Sequence, residues 1–164
     1  MAVALCGGAD TPCAPAQDGN EPALPTSEAV YRVKRSFARV AQAEALTARF
    51  YDRLFALRPD VRPLFASSLA DQQHKLASTL AVVVGGLDDF EALRGAVSAL
   101  GRGHVAYGVS EAHYAAVGAA LIWSLEAETG SLLPEEREAW IEVYGFLSTV
   151  MMRAARSAAP NPTP

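Results

Sequence analysis

"ALGRGHVAYGVSEAHY" (residues 99–114) holds two of the three histidines in the chain. His104 stands between Gly103 and Val105, where a helix interior favours a stronger helix former. Taken alone, such a histidine is most simply a hydrogen-bonded surface or core residue. His113, just before Tyr114, reads as a residue that starts or flanks a helix. The context of these two histidines decides what they are for.

Upstream, Phe90, Leu93, Val97 and Leu100 recur at helical spacing, and the stripe ends at Gly101. The same period runs through Val30, Val33, Phe37 and Val40, then through Leu46, Phe50, Leu54 and Phe55 up to the break at "RPDVRP". It returns in Leu69, Leu76, Leu80 and Val83, closed by Gly85 and Gly86. Val117, Leu121 and Leu125 make a further segment that stops near Gly130, and Trp140, Val143, Tyr144, Leu147 and Val150 make the last. The strand-like "VVV" sits within a helical stripe. The fold class is all-α, with about six to eight helices and short connections.

Prolines mark the edges. They crowd the stretches before residue 26 and after residue 159, where no hydrophobic period exists. We expect flexible tails over 1–26 and 158–164 and one domain over 27–157. Cys6 and Cys13 both fall in the first tail, which suits a reducing, cytoplasmic setting and argues against a disulfide scaffold.

Composition narrows the function. The 164 residues carry a net charge of −4, so there is no basic field for nucleic acid. The longest uncharged apolar run, "LASTLAVVVGGL", is too short to span a bilayer. "MAVALCGG" lacks the positive start and apolar core of a secretory signal. No histidine pair has zinc spacing, and neither a Ser-His-Asp arrangement nor a phosphate-binding glycine loop is present. "GLDDFEAL" is most simply helix N-terminal charge.

Two polar residues interrupt the stripes. Gln72 shares a face with Leu69 and Leu76, and Tyr51 follows Phe50. Buried without partners, either would cost about 1–3 kcal/mol, so each is either a surface tip or a functional group. His74 points away from the Leu69–Leu76 face and is expected to be solvated.

With "FYDRLFALRPDVRPLF", "DQQHKL", "GHVAYGVSEAHY" and "AWIEVYGFLSTVM" in this order, residues from about 28 to 156 resemble a bacterial single-domain globin, close to the haem domain of flavohaemoglobins. The resemblance implies a globin fold around haem b. It makes His104 the proximal iron ligand, Phe65 the ring packed on the haem after helix C, Gln72 the distal residue of helix E and Leu76 the apolar distal contact. Tyr51 matches the helix B tyrosine that faces bound ligand. Val109, Tyr114, Val117 and Leu147 fall where the family lines the proximal and lower pocket, and Lys75 and Arg102 are candidate propionate partners, with solvated surface charge as their alternative.

Under this reading the glycines at 101 and 103 loosen the helix end so that the imidazole can be aimed, and Gly103 lets backbone approach the cofactor. One departure from the family stands out. Tyr114 matches the tyrosine that backs the proximal histidine, but Ser157 falls where flavohaemoglobins place a glutamate. The sequence also carries no flavin or nicotinamide domain after the globin-like part. Both features weaken the expectation of peroxidase-like or self-sufficient dioxygenase activity.

The resemblance therefore implies a haem protein that binds O2 reversibly, and also CO and NO, at a pentacoordinate iron, since Gln72 is a poor ligand. Two donors, Tyr51 and Gln72, predict slow O2 release, suited to storage, buffering or sensing. The alternative is an NO dioxygenase served by a separate reductase. A haem-free helical interaction module is a third reading, disfavoured by His104. The expected state is a monomer or weak homodimer with no membrane partner.

Overall fold

Thr26 begins the helical body: its hydroxyl accepts the Ala29 N–H at 3.2 Å and caps α1 (Ser27–Phe37). The structure, a computed structural model, describes residues 21–65 and 68–158. The expected tail segments 1–20 and 159–164, with Cys6 and Cys13, lie outside the described residues. Residues 21–26 lie against the body: Pro25 is buried, Glu21 pairs with Arg94, and the Thr26 N–H donates to Glu142 Oε1 at 2.6 Å.

After α1 come α2 (Ala43–Leu57), a 3-10 helix (Pro59–Leu64), α3 (Leu69–Gly85), α4 (Phe90–Val105), α5 (Glu111–Thr129) and α6 (Pro134–Ala158). Six α-helices and one 3-10 helix, with no strand among the described residues, agree with the all-α reading. "VVV" (82–84) is helical inside α3, as its flanking stripe requires. The turn at "RPDVRP" follows from Pro59 and Pro63, which break the α-helical hydrogen-bond ladder. Asp89 caps α4 by accepting the Ala92 N–H at 3.1 Å.

α6 packs against both α4 and α1, while α5 packs against α2. The buried apolar stripe of α6, Ala139, Trp140, Val143, Phe146 and Val150, therefore meets stripes from both sides. Trp140 Nε1 donates to Ser36 Oγ at 2.9 Å, and that hydroxyl donates to the Val33 carbonyl at 3.0 Å, so a buried indole and a buried serine satisfy each other. Glu136 is fully buried at the same end. It accepts from Arg35 at 2.9 Å, from Arg39 at 2.8 Å and from the Leu133 N–H at 3.1 Å, clamping α1 to the first turn of α6.

The structure corrects the reading of the glycines before His104. α4 does not end at Gly101 but runs through it to Val105. Gly101 is buried, and a Cβ there would sit 2.4 Å from the Met151 carbonyl oxygen, so the glycine serves a close crossing of α4 and α6. A Cβ at Gly103 would meet nothing within 4 Å. The close approach is thus helix to helix, and two residues earlier than expected.

Among the described residues no helix is long and apolar enough to cross a membrane.

Candidate functional site

The stripes that do not meet one another completely leave a cavity of about 230 Å³ bounded by all six α-helices and the 3-10 helix. One wall is Leu76, Leu80, Val83 and Val84 of α3, and the facing wall is Val97, Leu100 and His104 of α4. Tyr114, Val117 and Leu121 of α5 and Val143, Tyr144, Leu147 and Met151 of α6 form the floor, and Val61, Leu64 and Phe65 lie at the 3-10 turn. No acidic residue lines it among the described residues. Such a chamber takes an apolar guest, not a hydrated ion.

Its polar groups are few and differently engaged. His104 Nδ1 lies 2.6 Å from the Leu100 carbonyl, one turn back in the same helix. A carbonyl can only accept, so Nδ1 carries the proton and Nε2 keeps its lone pair. His113 lines the same cavity but is tied the other way. Its Nδ1 accepts the Ser110 N–H at 2.9 Å in a reciprocal cap of α5, and its Nε2 lies 3.5 Å from Asp60 Oδ2. Its protonated nitrogen is therefore Nε2, which has no lone pair to give. The Arg58 guanidinium, and secondarily His113, hold the Asp60 carboxyl well below the usual carboxylate range. His74 is exposed on α3, as expected.

Among the described residues no group of three His, Cys, Asp or Glu side chains could hold a bare metal ion. One imidazole with a fixed tautomer in an apolar chamber suits a metal that arrives with its other ligands already supplied by a flat macrocycle.

Tyr114 stands beside this imidazole, with ring centroids 6.0 Å apart and planes inclined at 41°. Its hydroxyl is buried and has no hydrogen-bond partner among the described residues. Burial raises its pKa, so it is a neutral donor. Tyr144 lies over Gly118, where a Cβ would come within 2.6 Å of its ring, and donates to the Tyr114 carbonyl at 2.7 Å. Ser157, by contrast, is exposed and donates to the Arg153 carbonyl at 3.1 Å, away from the chamber.

On the opposite side, Tyr51 is buried, and burial pushes its pKa up to about 12. Its hydroxyl donates to the Gln72 main-chain carbonyl at 3.3 Å. Its ring packs edge-on against Phe65 at 5.3 Å and Phe50 at 5.1 Å.

Of the site residues expected from sequence, the structure places His104, Phe65, Leu76, Val109, Tyr114, Val117 and Leu147 on the cavity wall. Tyr51 and Gln72 are joined to each other behind Phe65 and are not among its described lining residues. Lys75 is exposed on α3. Arg102 is exposed on α4 and lines a separate cleft beside α6. Sequence reading missed His113, whose role as a helix cap carried no signal of cavity exposure. It also missed Met151, which only the Gly101 crossing brings to the wall.

The helix order and the apolar cavity with His104 on its wall define an all-helical protein built around an apolar chamber. The globin family model matches residues 48–151. An uncharacterised globin-like protein of Aquifex aeolicus is 30% identical over 138 residues, covering 83% of this chain and 99% of that protein. A flavohaemoprotein of Rhodopirellula baltica is 33% identical over 116 residues, 68% of this chain but 28% of its own length. A bacterial globin structure from Campylobacter jejuni superposes with a TM-score of 0.69 at 25% identity, over 80% of this chain and 97% of that one. An engineered carbene transferase, a variant of a candidate nitric oxide dioxygenase from Rhodothermus marinus, gives 0.72 at 26% identity, over 81% and 94%. The chain belongs to the globin family.

Proposed function

We propose that the chamber holds haem b on His104 and that the protein reversibly binds O2, CO and NO. The observation that carries this is the 2.6 Å contact from His104 Nδ1 to the Leu100 carbonyl, which presents Nε2 as a ligand in an otherwise apolar cavity. His104 would hold the group, which would supply a ferrous iron able to take a diatomic gas. The residues do the rest. Leu100 fixes the imidazole tautomer, and the apolar walls exclude water. Phe65 holds the edge of the guest, and Tyr51 keeps a neutral O–H on the α2 side. Gln72 leaves that side without a strong competing ligand.

Among the described residues no carboxylate lines the chamber, so none there increases the electron donation of the histidine. This favours ligand binding over peroxidase-like chemistry. The test is a visible spectrum of the purified protein, oxidised, reduced and reduced with CO. A Soret band that shifts with CO supports the reading, and a protein that takes up no haem sinks it.

A second reading is NO dioxygenase activity with a separate flavin reductase as electron donor, in the cytoplasm. The flavohaemoprotein relatives and the Rhodothermus marinus neighbour favour it. Catalytic NO consumption, with nitrate as product, on addition of a generic reductase supports this reading. Stoichiometric consumption alone leaves a carrier.

A further inference from the structure

The second cleft, of about 310 Å³, lies between α4 and α6 on the face turned away from the chamber. Arg94, Ser98 and Arg102 project into it from one stripe of α4, at successive turns. Val150, Arg153, Ala154 and Ser157 face them from one stripe of α6. Three guanidinium groups and two hydroxyls thus share one space in a chain whose net charge is −4. The only acid lining it among the described residues is Glu21.

Among the described residues Arg94 is the only one of the three arginines that is ion-paired. Arg102 and Arg153 make no side-chain hydrogen bond or ion pair among the described residues. Arg94 pairs with Glu21 through Nη1, and its Nη2 lies 3.9 Å from Glu91, yet its Nε is buried with no partner. An unpartnered buried N–H on a guanidinium leaves a charge-assisted donor unused, a cost that an anion would remove. Glu21 shows what the cleft accepts: an anionic oxygen already sits on the Arg94 fork.

We infer that this cleft binds a compact multivalent oxyanion of the phosphate type, held by the Arg94, Arg102 and Arg153 guanidinium groups with the Ser98 hydroxyl as a neutral donor. Planar guanidinium forks match tetrahedral oxyanions in pairs of hydrogen bonds, which a monovalent spherical anion cannot use. The incoming anion competes with Glu21 for Arg94 and frees residues 21–25 from this edge of the body.

The full-length protein is titrated with inorganic phosphate and pyrophosphate by calorimetry, against chloride at matched ionic strength. Saturable binding of pyrophosphate, tighter than chloride, is expected. Arg153→Gln and Arg102→Gln should each weaken it about tenfold or more. Glu21→Gln removes the competitor and should tighten it several-fold, which no loss of folding could imitate. Pyrophosphate binding no stronger than chloride, arginine variants that bind like the parent, or a Glu21→Gln protein that binds no tighter would each overturn the assignment.

Discussion

The Tyr51 hydroxyl donates to the Gln72 main-chain carbonyl at 3.3 Å, which ties α2 to the start of α3 behind Phe65. A donor held by a backbone carbonyl at that length is loosely committed, and it can turn to a more strongly accepting guest. Tyr51→Phe removes the donor and keeps the ring. A hydrogen bond to a partly charged acceptor is worth about 1.5–3 kcal/mol, so O2 dissociation should speed up by about ten- to a hundredfold. CO gains less charge when bound, and its release should change much less. Stopped-flow rates for both gases test this: equal changes would mean a steric effect, and no change would remove Tyr51 from the distal site.

His104→Ala should abolish the Soret band at stoichiometric haem, with partial recovery when free imidazole is added. His113→Ala should keep the band, because its Nε2 is turned to Asp60 and its Nδ1 to Ser110. Loss of haem in His113→Ala but not in His104→Ala would reverse the assignment of the two cavity histidines.

The crossing at Gly101 makes a paired prediction. Gly101→Ala places a methyl group 2.4 Å from the Met151 carbonyl oxygen, so α4 and α6 must separate. Overpacking of this kind costs about 1–3 kcal/mol and should lower Tm by several degrees. Gly103→Ala meets open space and improves helix propensity by up to about 1 kcal/mol, so it should hold or raise Tm. Thermal unfolding followed by circular dichroism compares the two. Equal destabilisation would show that the crossing does not set the helix spacing.

Glu136 sets an acid limit. Burial alone would raise its pKa, but the Leu133 N–H, Arg35 and Arg39 outweigh burial and hold it below the ordinary value of 4.5. The folded pKa is the depressed one, so the stabilisation is complete above the unfolded pKa and is lost as pH falls through the folded one. Glu136→Gln should lower stability at neutral pH by about 1–3 kcal/mol and flatten its decline below pH 4.5. Urea unfolding across pH 3–7 measures both. A variant with the parent's acid slope would assign that slope elsewhere.

The periodic part of the fold was legible because each helix carries its own stripe: Phe90, Leu93, Val97 and Leu100 needed no partner to be read as one face. His104 was readable only in combination with Phe65 and Gln72, since a single histidine has many uses. Arg102 shows the limit. It lies two residues from His104 along the chain, but the helix turn sends it to the opposite face, where Arg94 and Arg153 stand. Which cations share a space depends on how α4 crosses α6, and neither helix alone states that. His113 was obscured because one ring both caps α5 and faces the chamber.

Trp140 gives the chamber its own reporter. One of the two tryptophans, it is buried on the cavity wall, while Trp123 is partly exposed on α5 beside Arg53. A flat, strongly absorbing guest in the chamber drains the excited state of a nearby indole, so filling the cavity would darken Trp140. Intrinsic fluorescence would then follow loading and release directly, without a label, and the Trp140→Phe protein would supply the background to subtract.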